Sequence, residues 1–183
     1  MTGRGIRDGP KYMNAGAARS AGEARALKGH AADAAIKTYA DSMPNDARPR
    51  ALVIRTAGIN CDAELCRAFE LAGAAPDLVH IDTLLADAGP IHAADLIAFP
   101  GGFSYGDDIA SGRILAMRTR EHLLGPLRDA VARGTPIVGI CNGFQVLVQL
   151  GLVPGDGTQS VALAENSGAR FLDDWVGVDL DDA

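Results

Sequence analysis

Aromatic residues, cysteines and long apolar runs are all scarce in this sequence. Only 5% of its 183 residues are aromatic, which disfavours the stacked side chains that commonly bind nucleic-acid bases. Its three cysteines, Cys61, Cys66 and Cys141, form no Cys-x-x-Cys pair, which argues against a disulfide framework and a zinc site. No apolar run reaches the roughly 20 residues that span a bilayer. We therefore predict a protein that binds no metal, nucleic acid or membrane, in a reducing cytoplasm.

Charge is distributed unevenly along the chain. The formal net charge is −6, but residues 1–50 hold nine basic and five acidic residues, so eight basic and 18 acidic residues remain for the rest. This acidic remainder also argues against nucleic-acid binding. Residues 1–49 are rich in alanine, glycine and arginine, and we predict a disordered or loosely helical extension there. A transit peptide and a mis-assigned start codon are both open explanations, although acidic residues count against the first.

A short apolar strand that runs into a cysteine is the most informative stretch of the sequence. Between a predicted strand at 137–140 and a predicted helix at 144–150, Gly139-Ile-Cys-Asn-Gly143 has the form of a nucleophile elbow. In such an elbow the nucleophile lies at the start of a helix, where free N–H groups and the helix dipole favour a thiolate. Cys141 is therefore the candidate nucleophile. These five residues alone are equally compatible with a small buried hydrophobic cysteine.

A glycine pair follows another apolar strand. Residues 95–99 lead into Pro100, Gly101 and Gly102. Because glycine has no Cβ, such a pair can direct backbone N–H groups towards a developing oxyanion. An ordinary turn at the end of a strand would show the same pattern.

Strands and helices alternate through most of the chain. The predicted strands are residues 51–55, 77–81, 95–99, 137–140, 161–165 and 175–180. The predicted helices are residues 63–72, with Asp62 as N-cap, 108–118, 120–133 and 144–150. This alternation predicts an α/β fold with a mostly parallel sheet and helices on both faces. Ligands of such sheets bind at the carboxyl ends of the strands, where Gly58, Gly101 and Cys141 all fall.

Three motifs in this order resemble those of one enzyme family. They are Gly58-Ile-Asn-Cys-Asp62, Phe99-Pro-Gly-Gly-Phe-Ser-Tyr-Gly-Asp107 and Gly139-Ile-Cys-Asn-Gly-Phe-Gln145. In them the chain resembles the glutaminase subunits (subunit I) of phosphoribosylformylglycinamidine synthase, which are class I glutamine amidotransferases of purine biosynthesis with a flavodoxin-like fold. The middle motif separates this family from its relatives. The resemblance covers residues 51–180, and Ala57 and Ile59 depart from it.

The resemblance implies acyl transfer from glutamine. Cys141 would attack the side-chain amide, ammonia would leave, and water would release glutamate from the thioester. The N–H groups of Gly102 and Asn142 would hold the oxyanion. Gly101 and Gln145 would contact the substrate, although Gln145 is equally explained as a helix-capping or surface polar residue. Residues 103–107 would shape the loop and its contact with a partner.

The family's catalytic base is a histidine followed two residues later by a glutamate, and this sequence contains no such pair. Its histidines are His30, His80, His92 and His122. We therefore assign the base to none of them and expect a truncated chain. On this interpretation residues 50–183 are the N-terminal part of a class I glutamine amidotransferase domain that is C-terminally incomplete, with an open sheet edge.

The resemblance also implies partners. The glutaminase would supply ammonia to a large synthetase subunit, and a small accessory subunit is a further candidate partner. ATP and Mg²⁺ would bind the synthetase, with no cofactor in this chain. Two alternatives stay open: a catalytically silent chain that at most docks to the synthetase, and another cysteine hydrolase of flavodoxin-like shape.

Overall fold

The computed structural model describes residues 44, 47–155, 159–175 and 177. Its elements are β1 (Arg50–Arg55), α1 (Asp62–Leu71), β2 (Ala75–His80), α2 (Ile81–Ala86), α3 (Gly89–Ala93), β3 (Leu96–Phe99), a 3-10 turn (Ser104–Asp107), α4 (Arg113–His122), α5 (Leu124–Ala132), β4 (Ile137–Gly139) and α6 (Asn142–Leu150). Most of the predicted N-terminal extension lies outside the described residues. Within them, no helix combines the length and apolar character needed to cross a bilayer.

The four strands form one parallel sheet in the order β2-β1-β3-β4. The predicted parallel α/β fold is therefore confirmed. This order changes direction between β1 and β3, and such a switch point opens a crevice at the carboxyl ends of the strands. The loops that follow β1, β3 and β4 meet at this end.

The apolar strands are buried because helices cover both faces of the sheet. Leu52 and Ile54 of β1 point into the larger core, to which helices α2 to α6 contribute side chains including Leu84, Ile91, Leu115, Leu127 and Val146. Val53 points to the opposite face and packs against Leu65 of α1. A strand buried on both faces needs a continuous apolar run rather than an alternating one.

The outer strands are less covered on the α1 face. Leu78 of β2 is in register with Val53 and is 38% exposed. Val138 of β4 is in register with Ala98 and is 36% exposed. The α1 face of the sheet is therefore only partly covered at β2 and β4, which are the two edges of the described sheet.

The residues between β2 and β3 form two short helices that were not predicted. Ile81, predicted as the last residue of a strand, is instead the first residue of α2. The cause is local, because Nδ1 of His80 accepts a hydrogen bond of 3.2 Å from the backbone N–H of Asp82 and caps the helix. In α3, Pro90 lies in the first turn, where its missing N–H costs nothing.

The helices α4 and α5 begin later than predicted, at Arg113 and Leu124 rather than at residues 108 and 120. Asp107 and Gly112 have φ angles of 53° and 72°, so the chain passes through left-handed turns that an α-helix does not contain. The carboxylate of Asp107 accepts a 3.0 Å hydrogen bond from the N–H of Gly112 and holds these turns.

Two further boundaries differ from the predictions. The N-cap of α1 is Cys61 rather than Asp62, which is the first residue of the helix and forms an ion pair with Arg55 at 3.2 Å. The helix α6 begins at Asn142, two residues earlier than predicted. The elbow turn is therefore tighter than the sequence indicated.

The predicted strand at 161–165 is wrong, since these residues are irregular and exposed. The predicted strand at 175–180 lies outside the described residues except for Trp175, which is fully exposed, and residue 177. Neither segment therefore adds a described strand to the sheet.

Candidate active site

The turn between β4 and α6 holds Cys141 in a strained backbone conformation. Cys141 is exposed, and its φ and ψ angles are 53° and −112°. A residue with a side chain pays about 1–3 kcal/mol for such a conformation, and this strain is often found at active sites. Cys141 is also the N-cap of α6, beside N–H groups that have no partner within the helix. The exposure contradicts the interpretation of Cys141 as a buried hydrophobic residue.

The glycines on either side of Cys141 are required by space. A Cβ on Gly143 would lie 1.9 Å from the carbonyl oxygen of Phe99 in β3. A Cβ on Gly139 would lie 2.7 Å from the backbone of Gly143. No real Cβ approaches backbone atoms so closely, so only glycine lets α6 start directly against the sheet. The predicted nucleophile elbow is therefore present in the structure.

The loop after β3 lies against this elbow. A Cβ on Gly101 would lie 3.3 Å from the Cβ of Cys141, and a Cβ on Gly102, whose φ is 136°, would lie 2.8 Å from the carbonyl oxygen of Gly58. In the part of the chain that the structure describes, the N–H groups of Gly102 and Asn142 donate no hydrogen bond. The structure thus places Gly102 and Asn142, the predicted oxyanion donors, next to Cys141, the predicted nucleophile, and among the described residues both N–H groups are without an acceptor.

The side chain of Asn142 joins the elbow to the loop after β3. Asn142 is 1% exposed. Its Oδ1 accepts hydrogen bonds from the hydroxyl of Ser104 at 2.6 Å and from the backbone N–H of Ser104 at 3.3 Å. Its Nδ2 donates to the carboxylate of Asp107 at 3.0 Å and to Oε1 of Gln145 at 3.1 Å. All four hydrogen bonds of this amide are thereby satisfied within the protein.

This role of the Asn142 side chain was missed by the sequence analysis, which considered only its backbone N–H. The prediction that residues 103–107 shape the loop is consistent with the structure, because Ser104 and Asp107 bind the Asn142 amide. In the sequence, the feature that could have indicated this contact is the motif itself, in which Ser104 and Asp107 are two short polar residues three positions apart in a glycine-rich loop.

A second contact fixes the outer side of the same loop. Tyr105 has a φ of 54°, and its hydroxyl accepts a hydrogen bond from the guanidinium of Arg118, which also lies 5.7 Å from the centre of the Tyr105 ring. Arg118 donates in addition to Asp82 at 2.7 Å. The bonds to Tyr105 and then to Asp82 raise the pKa of Arg118 above its ordinary value. Nothing in the spacing of these three residues indicated this contact.

Gln145 lies one turn into α6 and is half-buried. Besides its bond to Asn142, it lines an open cleft of about 620 Å³ together with Ile109, Arg113, Gln149, Gln159 and Glu165. Cys141 does not line this cleft, to which α6 contributes Gln145, Val148 and Gln149. Gln145 is therefore placed between the hydrogen-bonded elbow and a space large enough for a small ligand.

None of the described histidines is placed to act on Cys141. His80 ends β2, which is three strands from β4 in the sheet, a distance of about 14 Å at the usual strand spacing. His92 lies in α3, which precedes β3 and so approaches the opposite end of the sheet. His122 is the last residue of α4. These positions agree with the assignment of the base to none of them.

A family model described as a CobB/CobQ-like glutamine amidotransferase domain matches residues 48–183. The chain belongs to this glutamine amidotransferase family. The match includes all three motifs and the strained cysteine. It confirms the family resemblance that the motifs indicated.

Within the glutamine amidotransferase family, the chain is similar to proteins of one kind. The phosphoribosylformylglycinamidine synthase subunit PurQ of Dehalococcoides mccartyi is 46% identical over 129 residues, which are 69% of this chain and 50% of that protein. The protein of the same name from Methanococcus maripaludis strain C5 is 42% identical over 139 residues, 74% of this chain and 52% of its own length. This amidotransferase chain thus spans about half the length of the curated relatives it matches.

A solved structure has the same fold. The structure of PurLQS from Thermotoga maritima is 39% identical to this amidotransferase chain, with a TM-score of 0.54, and the match covers 70% of this chain and 54% of that one. The parallel sheet and its helices therefore agree with a class I glutamine amidotransferase domain.

Proposed function

We propose that this glutamine amidotransferase domain belongs to the glutaminase subunit of phosphoribosylformylglycinamidine synthase. It hydrolyses L-glutamine to glutamate and ammonia, and the ammonia passes to a synthetase partner that makes formylglycinamidine ribonucleotide in de novo purine biosynthesis. The similarity to PurQ proteins supports the reaction. The single observation that carries the proposal is the exposed, strained Cys141 beside two free backbone N–H groups.

The site geometry suits acyl transfer. The Cys141 thiolate attacks the amide carbon of glutamine, and the oxygen of the tetrahedral intermediate accepts hydrogen bonds from the N–H groups of Gly102 and Asn142. Ammonia leaves, a thioester remains, and water releases glutamate. Gly101, which has no side chain, leaves room for the substrate beside the thiol, and Gln145 contacts the substrate from α6.

The proposal requires a group that the described residues do not supply. A general base must take the thiol proton and return it to the leaving amine. None of His80, His92 and His122 is placed for this task. We therefore assign the base to none of the described residues.

The partner in this proposal is the large synthetase subunit, which the similarity to PurLQS supports. The amidation of the ribonucleotide consumes ATP, and we expect ATP and Mg²⁺ to bind that partner. A small accessory subunit is part of the same proposal. The three free cysteines of this chain are typical of a reducing cytoplasm, where we place the reaction.

The proposal is tested by trapping Cys141 with a glutamine analogue that carries a diazoketone in place of the amide. We expect covalent labelling of Cys141, found by peptide mapping, and protection by L-glutamine. A diazoketone without the amino-acid part is the matched control and should label far more slowly. Labelling of Cys61 at an equal rate, or no selectivity for the glutamine analogue, would support another cysteine hydrolase or a silent chain that only docks.

The assembled synthetase provides the second test. With Cys141→Ser, glutamine-dependent synthesis should disappear while ammonia-dependent synthesis continues, because only the supply of ammonia is lost. The two activities are measured on the same complex, so each is the control for the other. If both activities vanish while the complex stays intact, Cys141 does not have the role proposed.

A further inference from the structure

A second thiol lies close to the nucleophile. The position that a Cβ would take on Gly101 is 3.3 Å from the Cβ of Cys141 and 3.7 Å from the Sγ of Cys61. The Cβ of Cys141 and the Sγ of Cys61 are therefore separated by no more than the sum of these two distances. The backbone supports this proximity, because the N–H of Cys61 donates to the carbonyl oxygen of Gly101 at 3.3 Å.

The fold explains why two cysteines meet here although 80 positions separate them in sequence. Cys61 follows β1 and Cys141 follows β4, and β3 with Gly101 lies between those strands in the sheet. Because residue 101 has no side chain, no Cβ occupies the position that lies near both cysteines. Both are exposed, so a small oxidant reaches either of them.

Little holds the Cys61 thiol in its present orientation. Its Sγ makes one weak hydrogen bond of 3.4 Å, to Oδ1 of Asn60. Rotation about the Cα–Cβ bond of Cys61 therefore loses one weak hydrogen bond among those that the structure shows for this thiol. The disulfide needs the two sulfurs about 2.0 Å apart and the Cβ atoms about 3.8 Å apart.

The third cysteine is a natural comparison. Cys66 lies five residues further along the chain, in α1, and packs against the small core of Val53, Leu65 and Ala98. Burial raises the pKa of the Cys66 thiol, and the carboxylates of Asp62 and Glu70 raise it further. Cys66 is thus both less accessible and less readily ionised than an ordinary thiol.

We propose that Cys61 is the resolving thiol of Cys141, so that oxidation of the site by a peroxide ends in a reversible Cys61–Cys141 disulfide. The Cys141 thiolate attacks one oxygen of hydrogen peroxide, the O–O bond breaks, and a sulfenic acid and water form. The Cys61 thiolate then attacks the sulfenic sulfur, the S–S bond forms, and the hydroxyl leaves as water. Two thiols are oxidised and one peroxide is reduced. The disulfide removes the nucleophile from glutamine and protects it from irreversible oxidation.

The proposal is tested by treating the chain with two equivalents of hydrogen peroxide, because the disulfide consumes one peroxide and a sulfinic acid consumes two. Its peptides are then mapped by mass spectrometry without reduction. We expect the Cys61–Cys141 pair to exceed the other two pairings by roughly tenfold, because thiols held together react faster than thiols that must find one another. A dithiol reductant should restore both thiols. The variants Cys61→Ser and Cys66→Ser are the matched pair, each replacing sulfur by oxygen, and circular dichroism checks their folding.

With Cys61→Ser, the Cys141 peptide should instead gain two oxygens as the sulfinic acid, whereas Cys66→Ser should form the disulfide as the unchanged chain does. Three results would each overturn the proposal: sulfinic acid on Cys141 in the unchanged chain at the rate seen with Cys61→Ser, a pairing with Cys66, or a disulfide between two molecules. The readout is the state of the thiols and needs no glutaminase activity. Failure here would therefore leave the proposed function standing, and failure of glutamine-analogue trapping would leave this proposal standing.

Discussion

Replacing Asn142 with alanine removes the contacts that hold the loop after β3 against the elbow. Four hydrogen bonds disappear: two from Ser104, one to Asp107 and one to Gln145. A neutral hydrogen bond contributes about 1 kcal/mol and one to a charged group about 1.5–3 kcal/mol. The two longest bonds, at 3.3 and 3.1 Å, contribute least. We therefore expect Asn142→Ala to lower the free energy of unfolding by about 3–5 kcal/mol.

The loss of stability comes mainly from polar groups that stay buried after their partner, the Asn142 amide, is removed. Ser104 is 1% exposed, and without Asn142 its hydroxyl has no partner, which costs about 1–3 kcal/mol. Asp107 is better protected, because its carboxylate keeps the bond from the N–H of Gly112. Globular domains have a total stability of about 5–15 kcal/mol, so this single truncation removes a large share of it.

Urea denaturation followed by far-ultraviolet circular dichroism measures the loss. Tryptophan fluorescence is a poor probe, since the single tryptophan, Trp175, is fully exposed in the folded chain. The control is Asn166→Ala, which removes one exposed hydrogen bond of 2.9 Å to the carbonyl oxygen of Arg170 and should change stability by less than about 0.5 kcal/mol. A loss below about 1 kcal/mol for Asn142→Ala would refute the hydrogen-bond network.

The isosteric variant Asn142→Asp separates the two halves of the network. It still accepts from Ser104, but it places an oxygen 3.0 Å from the carboxylate of Asp107, where Nδ2 stood. Two carboxylates so close cannot both be charged without penalty, so stability should recover as the pH falls towards about 4 and one of them binds a proton. A loss that is independent of pH would show that Asp107 does not face residue 142.

Two further predictions concern the glycines and the arginine around the site. Gly143→Ala should lower the free energy of unfolding by about 3 kcal/mol or more, since its Cβ would meet the Phe99 carbonyl oxygen at 1.9 Å. The control Gly125→Ala in α5, where a Cβ would have nothing within 4 Å, should stabilise the fold by roughly 0.5 kcal/mol. Urea denaturation measures both variants, and equal effects would contradict the close contact at the elbow. In the unchanged chain, Arg118→Met should lower stability by about 1 kcal/mol. In a chain that already carries Tyr105→Phe, and so lacks the hydroxyl, the same change should cost less than about 0.5 kcal/mol, because the exposed ion pair with Asp82 contributes little. Additive effects of the two changes in a thermal-unfolding cycle would contradict the Arg118–Tyr105 bond.

The sheet and the elbow could be predicted from the sequence because their causes are local. A parallel strand covered on both faces must be apolar along its whole length, as Leu52, Val53 and Ile54 are. The glycines at 139 and 143 reveal a close backbone approach, and their spacing around Cys141 identifies the turn. Such features need only a few neighbouring residues to be recognised.

The contacts that complete the site depend on distant parts of the chain. Asn142 meets Ser104 across 38 positions and Asp107 across 35, and no local periodicity shows such a meeting. The start of α4 was misplaced for the same reason, since it follows from turns that the carboxylate of Asp107 holds. The strand predicted at 161–165 shows the converse, because its apolar residues have no partner strand in the described sheet.

The contacts of Asn142 give a structural reason for the motif at residues 99–107, which begins at the end of β3. Cys141 occupies a conformation that an isolated turn would leave, and the adjacent Asn142 amide is the group that binds it to the rest of the fold. Ser104 and Asp107 supply the partners of that amide, and the left-handed residues between and beyond them bring both partners to it. The motif thus holds the loop after β3 against the turn that contains the strained Cys141. Gly101 of the same loop has no side chain, and the position that its Cβ would take lies 3.3 Å from the Cβ of Cys141 and 3.7 Å from the Sγ of Cys61.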